Sequence, residues 1–147
     1  MKKKALFAAA ALSLVVSLVQ AQISPVGLWK TFDDDGKTEK SLVRVVESGG
    51  VYQGKIEKIF DASRQDAKCD KCEGDRKNQP ILGMVIFSGA KQDQDDKSIW
   101  YGTEIVKPDE GKVYKKMRMQ LADEGKVLKV RGYIGFLYQT REWKRVE

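Results

Sequence analysis

Apolar positions fall into two regimes along this chain. From Ala5 to Val19 they form an uncharged run of fifteen residues behind Lys2, Lys3 and Lys4; beyond it they come in short bursts separated by polar turns rich in glycine and aspartate. The first regime reads as a secretory signal peptide. Its apolar stretch is shorter than the ~20 residues a spanning helix needs, and Val19-Gln20-Ala21 has the small-x-small pattern of a cleavage site. Cleavage is expected after Ala21, giving a mature chain from Gln22. The first cysteine is Cys69, so nothing near the cut can carry a lipid, and the mature chain is expected in the periplasm or outside the cell without a membrane anchor.

The second regime predicts strands. No stretch holds a 3.6-residue period, and the bursts are bounded by turn residues. The predicted strands are 27–32, 41–48, 51–60, 84–88, 98–107, 113–121, 127–134 and 137–146, eight in all. Asp33-Asp34-Asp35-Gly36, Gly49-Gly50, Pro108-Asp109-Glu110-Gly111 and Asp123-Glu124-Gly125 supply turns, and residues 61–80 form a long polar loop. In 113–121, Val113, Met117, Met119 and Leu121 share one face while Lys116, Arg118 and Gln120 share the other; Tyr114 breaks the pattern. Eight consecutive, mostly hairpin-connected strands close most economically into an antiparallel up-and-down barrel, because closure removes exposed edges. Such a barrel is just wide enough to be filled by side chains or to hold one small ligand. A two-sheet sandwich is the alternative.

Length and charge narrow the classes. Removing residues 1–21 from the 147 leaves 126, one domain (22–147) with room for a single core. The leader carries three of the 27 basic residues and none of the 21 acidic ones, so 24 against 21 leaves a mature charge of only +3. That balance, with export, argues against nucleic acid. There is no histidine. Ser-His and Cys-His catalysis, c-type haem ligation and His-based metal sites go with it, although carboxylates, Tyr or Lys could still move protons.

Cys69-Asp70-Lys71-Cys72 has two readings. In an oxidising compartment so close a pair reads as a structural disulfide; a thiol-disulfide oxidoreductase would need a helix starting at the first cysteine, and Glu73 to Pro80 contain no apolar residue to dock one. Zinc would lack a second pair of ligands. The acidic runs 33–36 and 93–96 read as turns, since neither has the spacing of a calcium loop. No cofactor or metal is expected.

Gly27-Leu28-Trp29 at the first strand, with Arg145 near the end of the last, resembles the lipocalin arrangement in which the arginine packs over the tryptophan and closes the barrel base. A longer match runs through Ser24-Pro25-Val26-Gly27-Leu28-Trp29-Lys30-Thr31, Gly54-Lys55-Ile56, Cys69-x-x-Cys72, Gln79-Pro80-Ile81-x-Gly83-Met84, Trp100-x-Gly102, Pro108-x-x-Gly111-x-x-Tyr114, Leu128-x-Val130-Arg131-Gly132-Tyr133-Ile134-Gly135 and Trp143-x-Arg145-Val146. These residues resemble the exported bacterial domain family DUF2147. The resemblance implies a lipocalin-like or fatty-acid-binding-like barrel and no established reaction. Members often carry Arg-Thr-Gln-Thr-Trp in the last strand, where this chain has Gln139-Thr140-Arg141-Glu142-Trp143.

The expected function is non-catalytic binding of a small amphipathic or apolar ligand, anionic if an arginine points inward. Candidate ligand-binding residues are Arg44, Trp100, Glu104, Arg131 and Tyr133; Trp29 and Arg145 are structural, as are Cys69 and Cys72. The alternative is a protein-interaction module, its barrel filled and the 61–80 loop exposed to a protein partner. A lumen of several hundred Å³ would favour the carrier.

Overall fold

A computed structural model describes residues 24–147. The signal peptide assigned to residues 1–21 lies outside the described residues. The strands are β1 (Gly27–Phe32), β2 (Glu39–Ser48), β3 (Val51–Ile59), β4 (Val85–Gln92), β5 (Ile99–Gly102), β6 (Ile105–Lys107), β7 (Lys112–Tyr114), β8 (Lys116–Ala122), β9 (Val127–Ile134) and β10 (Leu137–Arg145). Eight of them close an antiparallel barrel in the order β1-β10-β9-β8-β5-β4-β3-β2, while β6 and β7 pair only with each other.

That detached ribbon corrects the predicted strands 98–107 and 113–121. Each is two pieces, the inner one in the barrel wall and the outer one folded away from it. The cause is apolar: Ile105, Val106 and Tyr114 are all buried, whereas a straight extension beyond the barrel would leave them in water. Tyr114 breaks the alternation of Met117 and Met119 because it belongs to a different ribbon with its own parity.

The direction of the chain sorts the connections between two ends. Turns at 49–50, 93–98 and 123–126 lie at one end, with the strand β1 start and the strand β10 finish. The 33–38 turn, the 60–84 connection, the β6–β7 ribbon and the β9–β10 turn lie at the other. The interior is packed by Trp29, Val45, Trp100 and Leu128 toward the first end and by Phe87, Met117 and Met119 farther along the strands, all fully buried.

The base is closed by register and by side chains. Trp29 pairs with Arg145 across β1 and β10 and with Val43 across β1 and β2. The Arg145 guanidinium lies 4.2 Å from the centroid of the Trp29 ring. Its Nε donates to Gly125 O at 2.7 Å, Nη1 to Val26 O at 2.8 Å and Nη2 to Ser24 O at 2.6 Å, tying three segments together. Trp29 Nε1 donates to Pro25 O at 2.7 Å. Gly27 must be glycine here. Its φ is +145°, and a Cβ would run into Glu147 O and the Arg145 guanidinium.

Candidate functional site

The other half of the barrel is not filled. Between its inner wall and the β6–β7 ribbon lies a cavity of about 120 Å³. Val43, Ile56, Ile86, Val130 and Trp143 supply apolar wall from the strands, and Ile105, Val106 and Tyr114 supply the roof. This is less than the several hundred Å³ expected of an open carrier lumen. It is close to the ~150 Å³ that lets an engineered apolar cavity take a benzene ring.

Polar groups gather at the mouth. Thr31 and Ser41, neighbours across β1 and β2, share a buried hydroxyl–hydroxyl hydrogen bond of 2.7 Å. Tyr114 Oη donates to Gln139 Oε1 at 2.7 Å. Three cations (Lys40, Lys107, Arg141) and two carboxylates (Asp34, Asp109) also line the cavity. Asp34 Oδ1 accepts from Lys107 Nζ at 2.9 Å and from Arg141 Nη2 at 2.8 Å, so one oxygen from the β1–β2 turn holds the roof to β10. Those hydrogen bonds, from Lys107 first and Arg141 second, lower the Asp34 pKa to about 2. Burial opposes the charge on Lys107, but hydrogen bonds to Glu110 and Asp34 outweigh it and raise its pKa. Lys40 Nζ bonds Asp109 Oδ2 at 2.7 Å, a second tie across the mouth. Asp109 Oδ1 is buried with no hydrogen-bond partner among the described residues.

The 61–80 loop braces the roof from outside. It is stapled by a Cys69–Cys72 disulfide with Cα atoms 5.2 Å apart. Backbone hydrogen bonds Cys69 N to Gln79 O and Ile81 N to Ala67 O fold it back on itself. The Cys69 sulfur lies 3.0 Å from Pro108 O, and at Gly111, with φ +63°, a Cβ would collide with the backbone of Lys71. The disulfide therefore rests against the turn joining β6 to β7. Cys69 is fully buried and directly follows an extended bridge (Lys68 with Pro80); it is not at a helix N-terminus.

Beside the mouth a surface groove of about 470 Å³ runs past Asp33, Ile59, Phe60, Arg64 and Ile81. It shares Lys40, Ser41, Ile56, Pro108 and Asp109 with the cavity, which makes it a path inward.

None of the five residues expected to bind ligand lines this cavity. Val43 and Val45 point inward, so Arg44 points out, to Glu57 at 2.9 Å and Glu147 at 2.8 Å. Leu128, Val130 and Gly132 are buried, which turns Arg131 and Tyr133 outward. Arg131 Nε donates to Thr140 Oγ1 at 2.8 Å, and its guanidinium stacks 4.2 Å from the Tyr138 ring centroid. Glu104, between β5 and β6, pairs with Arg76 at 2.6 Å beside a separate surface groove. Trp100 is fully buried in the packed half, edge-on to Tyr52, with Nε1 unpartnered among the described residues.

The residues that do meet there were unassigned by sequence reasoning: Asp34, Lys40, Lys107, Asp109, Gln139 and Arg141. A signal existed for two. Gln139 and Arg141 share parity with the buried Trp143, so the departure from Arg-Thr-Gln-Thr-Trp puts the arginine at another cavity-facing position of the same strand. The acidic runs serve their own turns: Asp35 accepts from the Lys37 and Thr38 amides, and Asp93 from those of Asp95 and Asp96.

Comparison with known proteins places the fold first. The solved structure of protein HP1028 from the human pathogen Helicobacter pylori, which belongs to the lipocalin family, superposes with a TM-score of 0.69 over 84% of each chain at 20% identity. The barrel is thus lipocalin-like. No curated protein matches the sequence. A family model matches residues 27–145, from the first barrel strand to the last, and the chain belongs to that family, the uncharacterized proteins conserved in bacteria known as DUF2147.

Proposed function

We propose that the protein is an exported, non-catalytic carrier of a small amphipathic molecule, with the ligand's apolar part in the cavity and an anionic group at the mouth. One observation carries the reading: Lys107 and Arg141 converge on a single carboxylate oxygen, Asp34 Oδ1, at the edge of an apolar cavity. Asp34 is 62% exposed and sits on a turn, so a ligand carboxylate can take its place on the same two cations. The cavity limits the apolar part to about one ring or a short branched chain. Export rests on the leader pattern of residues 1–21.

The fold alone supports no reaction. The interaction-module reading draws support from the packed lower half of the barrel and the stapled loop. The two separate on titration with benzoate and hexanoate against benzyl alcohol and hexanol, followed by amide chemical shifts. The carrier reading expects the acids to shift the amides of β2, β6 and β10, and Arg141→Met to weaken them by about tenfold, the scale of a charge-assisted hydrogen bond. Absence of shifts with all four compounds, and no small molecule retained in native mass spectra, would leave the interaction module.

A further inference from the structure

The turn between β9 and β10 is the wrong composition for a hairpin tip in water. Residues 134–138 read Ile-Gly-Phe-Leu-Tyr, where polar turn residues are the rule. Phe136 is 92% exposed, Leu137 64%, Tyr138 61% and Ile134 41%, the most exposed cluster of large apolar side chains among the described residues. The tip also projects. β10 pairs with β1 at Lys144 and Arg145, whereas from Leu137 to Trp143 its ladder partner is β9.

Behind the tip, the outward rows of the wall are cationic and aromatic. One row runs Tyr101, Arg118, Arg131, Thr140 across β5, β8, β9 and β10; the row nearer the tip runs Lys116, Tyr133, Tyr138. Lys116 Nζ lies 5.3 Å from the Tyr101 ring centroid and 5.6 Å from that of Tyr133. Lys115 donates its backbone N–H to Tyr133 O, placing a further ammonium-bearing residue beside the tip. Lys115, Lys116, Arg118 and Arg131 form no salt bridge among the described residues. Neither row contains a carboxylate. The first on β10 is Glu142, opposite Lys129 and four residues from Tyr138.

We propose that the β9–β10 hairpin is a peripheral membrane-docking element that inserts Phe136 and Leu137 into an anionic lipid surface while Lys115, Lys116 and Arg131 contact the headgroups. A convex apolar finger with a tyrosine and lysine collar matches the layering of a bilayer interface, where aromatics and long basic side chains lie at headgroup depth. The unpaired cations select a surface of negative charge. A protein groove would need an apolar floor and an acidic rim together to match the finger and its collar, whereas an anionic bilayer supplies both layers at once. The tip shares its end of the barrel with the cavity mouth, so docking presents the mouth to the bilayer, and docking itself requires no ligand in the cavity.

The test is co-sedimentation of the purified protein with vesicles of phosphatidylglycerol and phosphatidylcholine mixed, against phosphatidylcholine alone. Binding is expected to the anionic vesicles, falling at least tenfold from low to 0.5 M salt and at least tenfold in Phe136→Asp and in Lys116→Glu/Arg131→Glu. The three native tryptophans are buried, so Phe136→Trp adds the one exposed indole, and its emission should shift to the blue with anionic vesicles only. Equal binding to both vesicle types, no binding at low salt, or an unshifted Phe136→Trp emission overturns the proposal. So does a dimer in sedimentation velocity that Phe136→Asp dissolves, which would give the tip to a second copy of the chain.

Discussion

Arg145→Met removes the charge at the barrel base and keeps the aliphatic stem. Two kinds of interaction go with it. The cation–π contact with Trp29 is worth about 0.5 to 2 kcal/mol at partial burial. The three hydrogen bonds to Ser24 O, Val26 O and Gly125 O come from a charged donor, worth about 1.5 to 3 kcal/mol each when shielded, but the site is half-buried and water can replace some of them. The guanidinium also carries a desolvation cost, seen in the lowering of its pKa by burial. The net expected loss is about 2 to 4 kcal/mol, a substantial share of the roughly 5 to 15 kcal/mol that holds a typical domain folded. With a urea slope of about 1.5 kcal/mol per molar, the unfolding midpoint should fall by roughly 1.3 to 2.7 M. Tryptophan fluorescence follows the transition, since Trp29 is fully buried. Arg145→Lys keeps a cation near the ring, but one nitrogen cannot serve three carbonyls spread over the 24–26 stretch and the 123–126 turn, so about half the loss should remain. Trp29→Ala should cost about 3 to 5 kcal/mol because it also opens a cavity. An Arg145→Met midpoint within 0.3 M of the parent would mean that the strand ladder alone closes the base.

Replacing Cys69 and Cys72 by Ser should cost at most about 2 kcal/mol, because the closed loop is short, yet amides of the Pro108–Gly111 turn should exchange faster in hydrogen-exchange measurements as its support loosens. Unchanged exchange there would separate the staple from the roof. The tie through Asp34 should be acid-labile with a definite sign: its pKa is lowered from an ordinary 3.8 to about 2, so the contact stabilises the closed roof fully above pH 3.8 and is lost as pH falls through about 2. Carboxyl-carbon NMR should show that midpoint, and titration of Asp34 near 3.8 would mean the Lys107 and Arg141 contacts do not persist in solution. Intact-mass measurement of the exported protein should find a chain starting at Gln22 with no acyl mass; a species starting at Met1 would refute the leader assignment.

The barrel was legible because alternation is a local property. β1 and β9 have the predicted bounds, and the other strands differ at their ends or by the break that frees the β6–β7 ribbon. The break itself left a trace in the parity of Tyr114, but parity cannot say where a strand leaves a wall. The inward face is a different kind of information. Alternation puts Arg131 and Tyr133 on one side of β9 and Leu128 and Val130 on the other, and the rule that apolar faces seek the core turns both candidates outward, away from the cavity; polar chemistry alone does not say which side of a wall a residue faces. The same rule applied to Trp143 would have turned Gln139 and Arg141 inward. Asp34 was beyond such reasoning. It sits in a turn whose composition is explained by turning alone, and the partners that give it a second role, Lys107 and Arg141, are 73 and 107 residues away along the chain. Contacts of that separation exist only after closure has brought the β1–β2 turn, the ribbon and β10 to one end of the barrel, so the mouth is a property of the fold and not of any segment in it.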